Sequence, residues 1–245
     1  QLGEVIALDA DRQMLTLQDG TLLPWHTLSL NIGSTLHPVT DGSLPLLPLR
    51  PLAHLRHGWE AMQQQIGALA AGSEWQMLVL GGGPAGVESI LAAQYRLAQV
   101  APHVHVRWTL LTRGHEILPG MARGAAKRML RWLRQRQIRV EHGFAARQIA
   151  NGEVHAEDGR HIRADSVLWA TGAQAHRWLK PSTLALDAQG FVRIDAQLRS
   201  ISHPAVFAVG DCCSWHPGAD AVSDADAAGR QPEPVAQLPK AGVFA

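Results

Sequence analysis

The sequence predicts an α/β chain in which a parallel-sheet unit stands between two stretches of β-meander, and three observations predict it. The middle of the chain alternates strand and helix as βαβαβ. A glycine-rich turn joins the first of those strands to the first helix. The meander that opens the chain has a counterpart after the βαβαβ segment.

Composition sets the outer bounds. The 245 residues are enough for one large or two small domains. Apolar residues make up 46% and charged residues 18%, the balance of a globular chain rather than a disordered one. A net charge of +1 gives no bulk attraction to polyanions, and no nucleic-acid partner is expected. No run approaches the roughly eighteen apolar residues of a spanning helix, so membrane contact is expected to be peripheral at most. The opening, QLGEVIALDADR, lacks the basic region and apolar run of a secretory signal. Cys212 and Cys213 are adjacent, which leaves no disulfide framework. The expected location is the cytoplasm, or the inner face of a membrane.

The elements follow in order. Val5, Ile6 and Leu8 lead to an Asp-Ala-Asp turn, Met14, Leu15 and Leu17 lead to Asp19-Gly20, and then come Leu22, Leu23 and Leu28-Ser29-Leu30 before Asn31-Ile32-Gly33-Ser34. The stretch Gly152 to Ala173 repeats this form at an offset of 139, which sets Asp19 on Asp158, Leu23 on Ile162, Leu28 on Val167, Gly33 on Gly172 and Ser34 on Ala173. Between the copies, Met77 to Leu80 reads as a strand, Val87 to Gln99 as a helix and Val104 to Leu111 as a strand. Ala122 to Gln137 is a second helix and Ile138 to Val140 a third strand. Nothing comparable precedes the first meander, so a further βαβαβ unit is expected upstream.

The turn Gly81-Gly82-Gly83-Pro84-Ala85-Gly86 carries G-x-G-x-x-G between strand and helix. Gly81 permits the tight turn, Gly83 lets backbone approach a pyrophosphate, and Gly86 allows close helix–strand packing. Free N–H groups at the helix start then meet the negative charge. Methyltransferases and short-chain dehydrogenases use such loops too. The only tyrosine, Tyr95, has Gln99 rather than lysine four residues on, which removes the tyrosine–lysine pair of the latter.

Downstream residues add a resemblance. Ala170-Thr171-Gly172-Ala173 and His203-Pro204-Ala205-Val206-Phe207-Ala208-Val209-Gly210-Asp211, in this order after the glycine loop, resemble motifs of the pyridine nucleotide-disulfide oxidoreductase family of flavoproteins. Within it the chain is most similar to type II NADH dehydrogenase-like flavoproteins, nearest to the module sometimes fused to selenide, water dikinase. Leu28 to Ser34, Thr112-Arg113 with Ile117-Leu118-Pro119, and Pro239 to Ala245 carry that narrower likeness.

The resemblance implies two Rossmann-like dinucleotide-binding domains, three-layered with β-meanders, the NAD(P) domain inserted into an incomplete FAD domain. Residues 1–52 and 174–245 would be parts of the FAD domain, 53–72 a bridging helix or linker, and 73–173 the NAD(P)-binding domain. It implies FAD and NAD(P)H as cofactors. Gly33, Gly210 and Asp211 would serve the flavin, with the Asp211 carboxylate accepting from its ribityl hydroxyls. Gly81 to Gly86, Glu88, Thr112, Arg113, Thr171 and Gly172 would serve the dinucleotides, with Glu88 near the nicotinamide amide. The chain departs from the family pattern in three ways: the first FAD glycine loop is absent, Asn31-Ile32-Gly33 replaces Ala-Thr-Gly, and the chain stops at Ala245, short of the family's last segments. A chain without that loop is expected to hold FAD poorly by itself.

The expected reaction passes a hydride from NAD(P)H to FAD and electrons onward to an unidentified acceptor, quinone or another. The cofactors carry that chemistry, so no catalytic side chain is named. Two alternatives stay open: a catalytically degenerate nucleotide-binding module, and a single-nucleotide fold of methyltransferase type. NADH and NADPH also stay open. The strand end Thr112-Arg113 has no acid until Glu116 and suits a 2′-phosphate, whereas the type II dehydrogenase likeness favours NADH.

Other residues read as structural. Cys212-Cys213 has no adjoining charged activator and reads as small buried residues. His103 and His105 lack a third ligand, so no metal site is expected. Arg123, Lys127, Arg128, Arg131, Arg134, Arg136 and Arg139 read as a solvated outer helix face, with an anionic membrane or partner as the alternative. The eight tryptophans read as core and interface residues, and 214–236 as loop or disorder. Oligomeric state is left open.

Overall fold

The computed structural model describes residues 3–215, in which strand and helix alternate about a parallel sheet. The described backbone packs as two compact units, residues 36–172 and residues 3–35 with 173–215.

The larger unit is built on β6 (Glu74–Leu80), whose run Met77-Leu78-Val79-Leu80 is buried throughout. Successive side chains point to opposite faces, and here both faces are covered, so the strand reads as a continuous apolar run rather than an alternation. Met77 and Val79 enter one core, with Leu110 of β7 (His105–Leu111) and Leu168 of β12 (Ser166–Trp169). Met62 and Ile66 of α1 (Leu52–Gly67), Val87, Ile90 and Leu97 of α2 (Pro84–Val100) and Leu133 of α3 (Arg123–Gln135) cover that face. Leu78 and Leu80 enter the other core, with Val167 and Trp169. There they meet β9 (Ala146–Ala150), β10 (Glu153–Ala156) and β11 (His161–Arg163), an antiparallel meander. Helices, sheet and meander make the three layers expected from the sequence.

The sheet runs β5-β12-β6-β7-β8, all parallel, with β5 at Leu46–Pro48 and β8 at Ile138–Glu141. From β6 the chain steps outward through β7 to β8, then returns to β12 on the opposite side. Strand order therefore reverses between β6 and β12, and in open α/β sheets ligands bind at the carboxyl ends beside that reversal.

The smaller unit holds the meander β1 (Val5–Asp9), β2 (Met14–Leu17) and β3 (Leu22–Pro24). It also holds two parallel pairs: β4 (Leu28–Leu30) with β14 (Val206–Ala208), and β13 (Val192–Ile194) with β15 (Cys213–Trp215). Its core includes Leu8, Leu30, Leu179, Val192, Val206 and Ala208.

The repeat is present in the backbone. β2 and β10, and β3 and β11, lie 139 residues apart end to end. The first strands lie 141 apart, since Asp9 pairs with Met14 and Ala150 with Glu153, the second copy having the shorter turn. Three boundaries differ from the sequence reading. Residues 36–52, grouped there with the opening block, lie in the larger unit because β5 pairs with β12. The 53–72 bridge is mostly α1, packed by Met62 and Ile66 into the core rather than linking domains. Ser214 and Trp215, read as loop, end a strand on Arg193 and Ile194; residues 216–236 and the Pro239 to Ala245 segment lie outside the described residues.

Asp41 ties the segment before β5 to the β9–β10 turn. Its carboxylate accepts the N–H groups of Ser43 at 2.8 Å and Asn151 at 2.9 Å. The Ser43 side chain, which also bonds to the carboxylate, and then these two N–H groups hold its pKa down at about 2. A depressed carboxylate contributes stability that is present above its unfolded pKa and lost as pH falls through the folded one. Asp41→Ala should lower the urea midpoint of the complete protein at neutral pH. The gap to the unaltered protein should narrow as pH drops from about 5 toward about 2, measured by fluorescence-monitored unfolding.

Candidate functional site

The glycine loop occupies the carboxyl end of β6, at the reversal of strand order. Gly81 has φ +127°, a conformation closed to L side chains, and a Cβ there would stand 2.7 Å from the carbonyl carbon of Ala170 at the end of β12. A Cβ at Gly82 would stand 2.5 Å from the Cβ of Thr112. One at Gly86 would overlap the carbonyl oxygen of Gly81, 2.9 Å from its carbon. Protein atoms thus require three of the four glycines to be bare. Gly83 is different: its φ is −76°, and an added Cβ would meet nothing within 4 Å. The side-chain-free surface it presents is open.

Gly83 is also the N-cap of α2, with Pro84 at the first helical position and no side-chain cap. The Gly81 N–H is taken by Leu111, and the Gly82 carbonyl accepts from Leu118 N–H at 2.7 Å, which fixes the loop from both neighbouring segments. No acid lies in the first turn of α2, so its positive dipole end is unopposed. Bare backbone, uncapped helix start and uncompensated dipole together suit an anionic group such as a pyrophosphate.

The other expected residues of this unit fall around the loop in varying degree. Thr112 is 4% exposed, fixed by its N–H on Glu141 and by the Phe144 N–H on its carbonyl, with its side chain against Gly82. Arg113 follows it on the surface and makes no ion pair with a described residue. The Thr171 hydroxyl accepts from the Trp169 indole at 2.6 Å, and its backbone nitrogen would lie 3.3 Å from a Gly81 Cβ. Gly172 is exposed, with nothing within 4 Å of its Cβ position. Glu88 is exposed on α2, and no described residue pairs with it.

In the smaller unit, β4 and β14 run side by side, so the turns that follow them meet. Val209 N–H bonds to Leu30 O, and Gly210, at φ +70°, would place a Cβ 3.4 Å from the Asn31 amide oxygen. Asp211 is 8% exposed, and the Ser34 hydroxyl donates to its Oδ2 at 3.4 Å. Gly33 lies in the same turn as Asn31, where the Ile32 carbonyl contacts His176 Nε2 at 3.1 Å. A buried carboxylate bordered by bare backbone suits a polyol, whose hydroxyls donate. Cys212 and Cys213 are buried beside it and form no disulfide, with the Cys212 thiol 3.1 Å from the Val209 carbonyl and the Cys213 thiol 3.3 Å from that of Gly210. The Cys213 thiol draws the Cys212 thiol down to about 6. Among the described residues no group of three metal-ligating side chains occurs, and no helix is long and apolar enough to cross a membrane. His103 bonds to Leu69 O, and His105 is exposed.

A parallel sheet with a glycine turn at its strand-order reversal defines the class: an α/β protein with the fold that binds dinucleotides. The chain belongs to the pyridine nucleotide-disulphide oxidoreductase family, whose model matches residues 1–232. It is similar to an NADH dehydrogenase-like protein of Mycobacterium tuberculosis, 27% identical over an alignment of 216 residues that covers 85% of this chain and 54% of the relative. It is also similar to the ferredoxin–NAD(+) reductase component of the biphenyl dioxygenase system of Paraburkholderia xenovorans, 30% identical over 88% of this chain and 50% of that one. A ferredoxin reductase of Rhodopseudomonas palustris shares the fold with a TM-score of 0.68 at 21% identity, covering 88% of this chain and 51% of its own. The chain therefore spans about half the length of these relatives.

Sequence reasoning named the loop but not what it rests on. The Ala170 carbonyl against Gly81 and the Ser34 hydroxyl on Asp211 are contacts of this structure. The 139-residue repeat sets Ser34 on Ala173 and Asn31 on Ala170, so it signals neither contact. The steric contrast within the loop yields a direct expectation. Gly86→Ala should cost about 1–3 kcal/mol, as overpacking does. Gly83→Ala should cost less than about 1 kcal/mol, the loss of a glycine cap. Thermal melting of the two variants of the complete protein should rank them in that order.

Proposed function

We propose that this chain is the dinucleotide-handling portion of a FAD-dependent NAD(P)H oxidoreductase, passing reducing equivalents from NAD(P)H through FAD to an acceptor. Gly83 carries the reading. Every other glycine of the motif has a protein atom that excludes a side chain, whereas Gly83 has none. Its bareness is accounted for by a ligand that approaches the backbone.

In this proposal the larger unit is the NAD(P) domain. Gly81 to Gly86 and the first N–H groups of α2 hold the pyrophosphate, Thr112 and Arg113 border the adenosine side, and Glu88, Thr171 and Gly172 border the nicotinamide side. The smaller unit is part of the FAD domain, with Gly33, Gly210 and Asp211 toward the flavin and Ser34 orienting the carboxylate. Bound FAD supplies the redox chemistry; the chain's own residues bind and orient. The narrower likeness to the flavoprotein module fused to selenide, water dikinase, and a cytoplasmic or inner-face location, belong to the same proposal. Similarity to both an NADH dehydrogenase-like protein and a ferredoxin reductase leaves the acceptor class open.

The complete protein should purify yellow and bleach anaerobically on addition of NAD(P)H. Gly83→Val should retain the flavin and melt near the unaltered protein, yet lose that bleaching. A variant reduced at the normal rate would remove the loop from pyrophosphate binding. A colourless complete protein that takes up no FAD would favour the degenerate-module reading.

Cofactor choice follows from the end of β7. Arg113 is exposed and pairs with no described residue, and no acid follows it before Glu116 to accept from a ribose 2′-hydroxyl. A charge-assisted contact from its guanidinium to a 2′-phosphate is worth about 1.5–3 kcal/mol, a preference of roughly ten- to a hundredfold for NADPH. Arg113→Ala should erase that preference and leave NADH reduction unchanged in stopped-flow measurements. Equal losses with both cofactors, or none, would take Arg113 out of the site.

A further inference from the structure

Helix α3 buries Leu133 and packs Ala126, Met129 and Leu130 against the helix-side core. At about 100° per residue, Arg123, Lys127, Arg128, Arg131 and Arg134 share an arc of roughly 140° on the opposite side. All five are exposed, and none pairs with a described carboxylate. Arg56, Arg107, Arg139 and Arg160 of the same unit each hold one.

The helix has no acid. Arg123–Lys127 and Lys127–Arg131 stand at i,i+4, and Arg128–Arg131 and Arg131–Arg134 at i,i+3, like charges at the spacings where they destabilise a helix. Arg123 also sits in the first turn, against the positive end of the dipole, where an anion would be favourable. A face charged against its own helix is not explained by solvation, which needs only a mixture of signs. Trp132, 52% exposed, flanks this arc, with the Arg136 guanidinium 5.5 Å from its ring, and Met121 just before the helix is 38% exposed.

We infer that the outer face of α3 docks the protein on an anionic lipid bilayer. Charge complementarity calls for an anionic partner, and two features favour a bilayer over an acidic protein. The cations lie along the outer side of a single helix, a convex strip rather than a groove, and α3 lines neither the cavity beside Trp75 nor the one beside Phe144. Indole is an amphipathic ring suited to headgroup depth, and mobile anionic lipids can gather under each cation. Because the apolar side of α3 is engaged with the core, the helix cannot sink into the acyl region as free amphipathic helices do. Attachment is therefore electrostatic, reversible and weakened by salt.

The complete protein should sediment with vesicles of mixed phosphatidylglycerol and phosphatidylcholine, stay in solution with phosphatidylcholine alone, and be released by high salt. Arg128→Gln, Arg131→Gln and Arg134→Gln combined should weaken partitioning roughly a hundredfold, about fivefold per cation, with the melting point and NAD(P)H reduction unchanged. Arg123→Gln with Lys127→Gln, at other positions of the same face, separates lost charge from local damage. Equal sedimentation of the unaltered protein with both vesicles, or undiminished binding by both variants, would overturn the inference. Retention on immobilised polyglutamate without binding to phosphatidylglycerol vesicles would also overturn it, in favour of an acidic protein partner.

Discussion

The larger unit depends on one close approach, that of α2 to the turn it grows from. Gly86 lies on the Gly81 carbonyl with no room for a methyl group, and Gly81 lies in turn against the Ala170 carbonyl. Because α2 starts this near the sheet, Val87, Ile90 and Leu97 reach the core formed by Met77 and Val79. Because the turn is this flat, the end of β12 closes on it, and Ala170 N–H completes the ladder to Leu80 at 2.7 Å. Packing thus fixes three of the loop's glycines and leaves the fourth, Gly83, with an open backbone face at the start of the helix.

The smaller unit solves a related problem with different chemistry. Both copies of the meander end in a strand of the same register, β4 or β12, followed by a loop to a closing glycine. β12 is flanked by β5 and β6 and leads to a loop against bare glycine backbone. β4 pairs with β14 and leads to a turn against Asn31, Ser34 and Asp211. The two copies share the strand register and differ in the residues at the strand ends.

Much of this was legible in the sequence because the signals were local. A strand ending in Gly-Gly-Gly-Pro before a helical pattern, and Asp-Gly turns between short apolar runs, each report their own structure. β2, β3 and β4 fall where their apolar residues and turns place them. β5 was not legible: Leu46-Leu47-Pro48 is three residues long, bounded by prolines, and becomes a strand only because β12 offers it a parallel edge. β15 was missed because Cys213-Ser214-Trp215 carries no alternation and depends on β13 for its partner. The same limit applies to the site. Residue types that suit a phosphate or a hydroxyl can be read from sequence, but the contrast between Gly83 and its three neighbours is a fact of distances.

That contrast extends to charge. The α2 loop offers N–H groups and an unopposed dipole and keeps acids away from its first turn. The turn after β14 offers the reverse, a buried carboxylate in a three-residue 3-10 helix too short to present a dipole. A carboxylate at Gly83 would repel a pyrophosphate through the same low-dielectric surroundings that strengthen an N–H contact to it. A bare helix start at Asp211 would offer donors to a polyol that already has hydroxyl protons to give. In the proposed assignment each loop is specific because it lacks what the other has, and neither could take the other's ligand group by a single substitution.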